Sequence, residues 1–126
     1  MKKTPLKPSG RLHLHLIVRD MKASIDFYTT VLGFYYVEGV PEMGWLTYEG
    51  MLLTLSPGDP PAELTTYFGW SVCDFAALEH HYEELHKRFQ RLGPPPAKDE
   101  GREYFFLYDP DDYPVAFTVD PVSKDV

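Results

Sequence analysis

Cysteine is nearly absent: Cys73 is the only one in 126 residues. A lone thiol cannot close an internal disulfide or build a cysteine metal site, and such usage is expected of a reducing compartment. Long apolar runs are missing as well. No stretch approaches the roughly 20 apolar residues of a membrane span. The basic opening MKKTPLKPSG is not followed by the apolar run of a secretory signal. These absences predict a soluble cytoplasmic domain with no membrane partner. Positive charge is also scarce, at 12 Lys and Arg against 19 Asp and Glu, a net of −7. Half of the basic residues fall within residues 1–22, while residues 99–126 hold eight acidic and two basic residues. Nucleic-acid phosphates call for clustered cations, so a nucleic-acid partner is not expected. An acidic body attracts a cationic small molecule better than a phosphorylated one.

What is abundant is aromatic, with nine Tyr, eight Phe and two Trp making up 15% of the chain. A chain of this length buries roughly two thirds of its unfolded surface and can fold without a metal or disulfide staple. Arg11 to Val18, RLHLHLIV, alternates strictly, with Leu12, Leu14, Leu16 and Val18 on one face and His13, His15 and Ile17 on the other. That is the pattern of a half-buried strand. Asp20 is placed to cap a helix over Met21–Leu32 that Gly33 ends. Strands at Phe34–Glu38, Trp45–Glu49 and Met51–Ser56 follow, with Glu49-Gly50 as a tight hairpin turn. After a PGDPP linker the pattern restarts with a strand at Tyr67–Val72 and a second cap at Asp74. Phe75, Leu78, Tyr82, Leu85, Phe89 and Leu92 then step at helical spacing, predicting four to five helical turns ended by Gly93 and Pro94–Pro96. Lys98–Arg102 reads as a weak edge strand, and Glu103–Tyr108 and Pro114–Val119 as two more, joined by DPDDY.

The two halves therefore repeat as β-α-β-β-β modules, each too small to be stable alone. The expected organisation is a basic tail over 1–10 and one domain over 11–120, followed by a short tail over 121–126. Within that domain, module one spans 11–57, a linker 58–64 and module two 65–120.

Two segments, HLHLIVRDMKASIDFYTTVLGF (His13–Phe34) and GREYFFLYDPDDYPVAF (Gly101–Phe117), resemble the opening and closing elements of the vicinal oxygen chelate superfamily. That group holds glyoxalase I, extradiol dioxygenases, fosfomycin-resistance thiol transferases and bleomycin-resistance binding proteins. The family's closing turn is usually DPDG, whereas here Asp112 stands in place of the glycine. The resemblance implies an α+β fold in which two paired β-α-β-β-β modules form a curved sheet around a cup. It also implies a homodimer and a small-molecule ligand. Metal-dependent members place one ligand on the first and one on the last strand of each module. Those positions fall here on His13, Thr54, Tyr67 and Ala116, where the family pattern wants His or Gln on each first strand and Glu on each last. Only His13 fits. A catalytic divalent ion needs about three protein donors. Alanine has none, and tyrosine must lose a proton of pKa about 10. The expectation is a binding protein with no metal and no cofactor, rather than an enzyme.

Strand parity then assigns the ligand-facing side chains. His13 and His15 share the concave face of the first strand, and Trp45 lies opposite Thr54 if Glu49-Gly50 is a two-residue turn. In the second module the resemblance sets Tyr67 and Ala116 on the corresponding face and Phe106 where the family's closing motif often has tyrosine, and parity with Phe106 adds Tyr104 and Tyr108. This lining suits an aromatic, neutral or cationic organic molecule, through stacking and cation–π contact. The alternative is a lyase-, isomerase- or dioxygenase-like enzyme of the same superfamily. It would use His13 or His15 as a general base, or a displaced metal site whose third donor comes from Glu38 or Glu49. His80, His81 and His86 read as a solvated helix face, since their spacing matches no metal motif. Cys73, with no evident base, reads as inert.

Overall fold

The computed structural model describes residues 10–38, 43–64 and 66–121. The chain divides into two compact units, Met1–Pro60 and Pro61–Val126. In the first unit, strand β1 (Leu12–Val18) runs into helix α1 (Met21–Asp26), and strands β2 (Tyr35–Val37), β3 (Gly44–Tyr48) and β4 (Met51–Pro57) follow. They form one sheet in the order β1-β4-β3-β2, with β1 and β4 parallel and the other neighbours antiparallel. Alternation does what the sequence pattern requires. Leu16, Val18, Leu46, Met51, Leu53 and Leu55 are buried, together with Phe27, Tyr28 and Phe34. Glu49 and Gly50 both adopt positive φ, at 44° and 81°. That left-handed pair matches the twist of a two-residue hairpin, and it sets Trp45 opposite Thr54 and Thr47 opposite Leu52.

The helix expected over Met21–Leu32 is present in two parts. Asp20 caps it by accepting from the Ala23 N–H at 3.1 Å, but the α-helix ends at Asp26 and widens to a π-helical turn over Phe27–Val31. Thr29 and Thr30 explain the change. Their hydroxyls donate to the carbonyls of Ile25 and Asp26, so side chains compete for the acceptors that hold an α-helix.

In the second unit, strands β5 (Phe68–Val72), β6 (Tyr104–Tyr108) and β7 (Pro114–Val119) form a sheet in the order β5-β7-β6, and helix α2 (Phe75–His86) follows β5. Asp74 caps α2 through the Ala77 N–H at 2.8 Å. Leu78 and Leu85 of α2 are buried with Phe105, Leu107, Val115 and Val119, and Tyr82 meets Phe105 at a centroid distance of 5.1 Å.

Two expectations fail here, for one reason. The helix stops at His86 instead of reaching Leu92, and Lys98–Arg102 is not an edge strand. Lys98–Glu100 is a 3-10 turn with a single bridge between Ala97 and Arg102. The edge of β6 is taken instead by residues 91–93. Leu92 bridges Leu107, Gly93 donates to the Phe106 carbonyl at 2.7 Å, and Tyr108 donates to the Arg91 carbonyl at 3.1 Å. Sheet hydrogen bonds and the prolines that follow draw this strip out of the helical path, although its apolar spacing continues that of α2.

The closing turn is held by Asp109, whose buried carboxylate accepts from the N–H groups of Asp111 and Tyr113 at 2.8 and 2.9 Å. Asp112 sits at φ 68°, the conformation that glycine would supply without steric cost, and forms an ion pair with Arg91. No helix among the described residues is long and apolar enough to cross a membrane.

Candidate functional site

In the first unit, alternation on β1 turns His13 and His15 away from the leucine face, and the β1–β4 register sets His15 beside Thr54 and Ile17 beside Ser56. One hydroxyl gathers both rings. Thr54 Oγ1, on a fully buried side chain, lies 3.1 Å from His13 Nε2 and 2.6 Å from His15 Nδ1. His15 Nε2 continues to Ser56 Oγ at 2.9 Å. His13 also stacks on Trp45, with ring centroids 6.5 Å apart and planes 25° apart. Trp45 Nε1 is buried and makes no hydrogen bond to another described residue. His13, His15, Trp45 and Thr54 therefore form one connected group. Ser56, a further member, was not anticipated, although its parity with Thr54 on the same strand would have placed it there.

In the second unit, Tyr67, Tyr104, Phe106, Ala116 and Thr118 line a hollow of about 280 Å³. Phe106 sits between the tyrosines, with Tyr67 edge-on at 5.0 Å and Tyr104 edge-on at 5.8 Å. The tyrosines are unusually open for large rings, at 63% and 43% exposure. The register explains the floor. Phe106 pairs with Ala116, and Ala116 pairs on its other side with Gly69, so two of the smallest residues lie beneath the rings. Tyr108 shares the parity of Tyr104 and Phe106 but pairs with Pro114 at the strand end and does not line the hollow.

A larger groove of about 470 Å³ runs between α2 and Pro95–Pro96, lined by Glu79, Tyr82, Glu83, His86 and Lys87. Its walls carry charges of both signs, and no local sequence pattern points to it, because it depends on the strip after α2 turning back. The helix histidines His80, His81 and His86 are exposed, as a solvated face requires, and two of them also meet aromatic rings. His81 stacks on Phe117 at 5.7 Å, and His86 tilts on Tyr82 at 5.9 Å.

The donor set does not fit a catalytic divalent ion. Of the four positions discussed above, His13 commits Nε2 to Thr54, Thr54 offers a neutral hydroxyl already shared by two imidazoles, and Ala116 has no donor. No group of three or more His, Cys, Asp or Glu suited to a metal occurs among the described residues, so His13 and His15 gain no third ligand from Glu38 or Glu49.

An α+β chain whose opening unit is β-α-β-β-β, followed by a shortened repeat, has the vicinal oxygen chelate fold. The sequence matches the family model of the Glyoxalase/Bleomycin resistance protein/Dioxygenase superfamily over residues 10–117, and the chain belongs to that family. Among curated proteins, none matches the sequence. Solved structures share the fold. A glyoxalase/bleomycin resistance protein/dioxygenase from Alicyclobacillus acidocaldarius is 24% identical, with TM-score 0.73, over 93% of this chain and 97% of the other. The genomically encoded fosfomycin resistance protein FosX from Listeria monocytogenes is 18% identical, with TM-score 0.73, over 95% and 100%. A glyoxalase/bleomycin resistance protein/dioxygenase from Nocardioides is 21% identical, with TM-score 0.63, over 94% and 88%.

Proposed function

We propose that this protein binds a small aromatic molecule, neutral or cationic, without a metal, and that the hollow of the second unit is its principal contact. The observation that carries this reading is the exposed edge-to-face array of Tyr67, Phe106 and Tyr104 around a floor of small residues. Leaving two tyrosine rings open costs apolar contact that packing would otherwise supply, and a ligand ring restores it. A volume of about 280 Å³ suits a molecule of one or two rings. None of the lining side chains is Lys or Arg, so a carboxylate or phosphonate finds no cationic partner there. In the first unit, His13, His15, Trp45 and Thr54 offer polar and stacking surfaces of their own. We assign the protein to the cytoplasm, as a homodimer with one domain over residues 11–120.

A second reading has its own observation. The bonded series His13–Thr54–His15–Ser56 is equipped to hold or move a proton, as a general base does. Calorimetric titration with matched cationic, neutral and anionic aromatic amines, amides and acids tests the first reading. Cationic and neutral compounds are expected to bind in the micromolar range, with Tyr67→Ala and Phe106→Ala each weakening binding by about 5-fold or more. Preference for the anions, or affinity unchanged by both substitutions, refutes it. Turnover of a bound compound that is lost in His13→Ala supports the second reading instead.

A further inference from the structure

We infer that Thr54 couples the tautomers of His13 and His15, so that the two neutral imidazoles carry their protons on like-named nitrogens, both on Nδ1 or both on Nε2. The nitrogens facing Thr54 Oγ1 are Nε2 of His13 and Nδ1 of His15, at 3.1 and 2.6 Å. A hydroxyl donates one hydrogen bond and accepts two, and a neutral imidazole has one donor and one acceptor nitrogen. If both facing nitrogens were acceptors, the single Thr54 proton would leave one of them unbonded. If both were donors, the Thr54 proton would have no acceptor, on a side chain that is fully buried. Two arrangements keep every bond.

In one, Ser56 donates to His15 Nε2, His15 Nδ1–H donates to Thr54, Thr54 donates to His13 Nε2, and His13 holds its proton on Nδ1. In the other, each bond reverses, His13 Nε2–H donates to Thr54, and His15 Nε2–H donates to Ser56. Passing from the first to the second, three protons each cross one hydrogen bond of the series, while His13 Nδ1 releases a proton to water and Ser56 Oγ takes one from water, so the net charge is unchanged.

His13 Nδ1 is the end of this series that no described residue occupies. It is a donor in the first arrangement and an acceptor in the second. The pair thus forms a recognition point that adapts to either kind of polar substituent on a small molecule, with Ser56 absorbing the reversal at the far end. Thr54 acts as a positioning residue. This ligand-facing consequence rests on the binding reading above, whereas the coupling itself does not. Neither Arg11 nor Arg19 flanking β1, nor Glu49 at the hairpin, nor Tyr35 on β2 bonds to either ring. They are the charged or titratable groups of this unit's described residues that share the parity of this face.

The test reads His15 while changing only position 13, in the nitrogen-15-labelled full chain at about pH 9, above the ordinary imidazole range. In His13→Glu, an acceptor at position 13 claims the Thr54 proton, and His15 is expected as the Nδ1–H tautomer. In His13→Lys, a donor at position 13 turns the Thr54 proton toward His15, which is expected as the Nε2–H tautomer. The imidazole nitrogen-15 shifts distinguish the two. The same His15 tautomer in both variants overturns the coupling. Adding Thr54→Val to each variant is expected to abolish the difference, and Thr54→Ser to retain it. A difference that survives Thr54→Val also overturns the proposal, because it would then act through charge and not through the hydroxyl. None of these readouts depends on ligand binding, so they stand apart from the test of the proposed function.

Discussion

Replacing Gly69 with alanine tests the sheet beneath the aromatic hollow. A Cβ at this position would land on the backbone carbonyl of Ala116, with the carbonyl carbon and amide nitrogen of the same residue at 2.6 and 2.8 Å. Real Cβ atoms essentially never approach closer than 3.0 Å. No side-chain rotation relieves a clash with backbone, so β5 must move away from β7 at the second pair of a ladder that runs from Phe68–Val115 to Val72–Val119. Losing about two ladder hydrogen bonds costs about 1 kcal/mol each, and a buried group left unbonded adds about 1–3 kcal/mol. The lower entropy of the unfolded alanine chain offsets about 0.4–1 kcal/mol. The net expected loss is about 2–4 kcal/mol. For a domain of this length each kcal/mol shifts Tm by about 4 °C, so Tm should fall by about 8–16 °C in differential scanning calorimetry. Gly50→Ala is the contrast. Its site is open but has φ 81°, so strain alone should cost about 1 kcal/mol and about 4 °C. A Gly69→Ala variant whose Tm stays within about 2 °C of the parent would refute the close approach of β5 and β7.

Asp112 holds a glycine-like conformation and an exposed ion pair with Arg91. Asp112→Gly should therefore be within about 1 kcal/mol of neutral, while Asp112→Ala, which loses the pair and keeps the strain, should be destabilised by about 1–2 kcal/mol in urea unfolding. Elemental analysis of the purified protein should find far less than one Zn, Ni, Mn or Fe per chain, since Thr54 and Ala116 supply no anionic donor, and a stoichiometric, tightly held ion would contradict the site as described.

The first unit was the more legible in sequence because its signals are local. Alternation in RLHLHLIV fixed which face carries His13 and His15, and a two-residue turn at Glu49-Gly50 then fixed Trp45 opposite Thr54. Thr54 reads in sequence only as a poor metal ligand, and its place between two histidines depends on the parallel β1–β4 register, which no local pattern encodes. In the second unit, family positions and parity together put Tyr67, Tyr104, Phe106, Tyr108 and Ala116 on one face, of which Tyr108, at the strand end, does not line the hollow. The helix end is not legible in the pattern, because Phe89 and Leu92 keep helical spacing while Arg91–Gly93 bond to β6, a choice made by tertiary hydrogen bonds over periodicity. The π-helical turn escaped for a related reason, since it follows from the side-chain bonds of Thr29 and Thr30 rather than from apolar spacing.

The strip over residues 91–93 also bears on how copies of this chain can meet. A free strand edge offers unpaired amides to any neighbouring chain and invites fibre-like growth. On β6 that invitation is withdrawn, because Phe106 and Tyr108 already bond to the strip, and the strip runs directly into Pro94, Pro95 and Pro96, which have no N–H to offer. In the first unit, β2 is the edge strand opposite β1 and is only three residues long. Neither of these edges is suited to strand addition, so copies that associate at these two edges must meet through side chains. Amide exchange at β6 should accordingly be as slow in dilute as in concentrated solution.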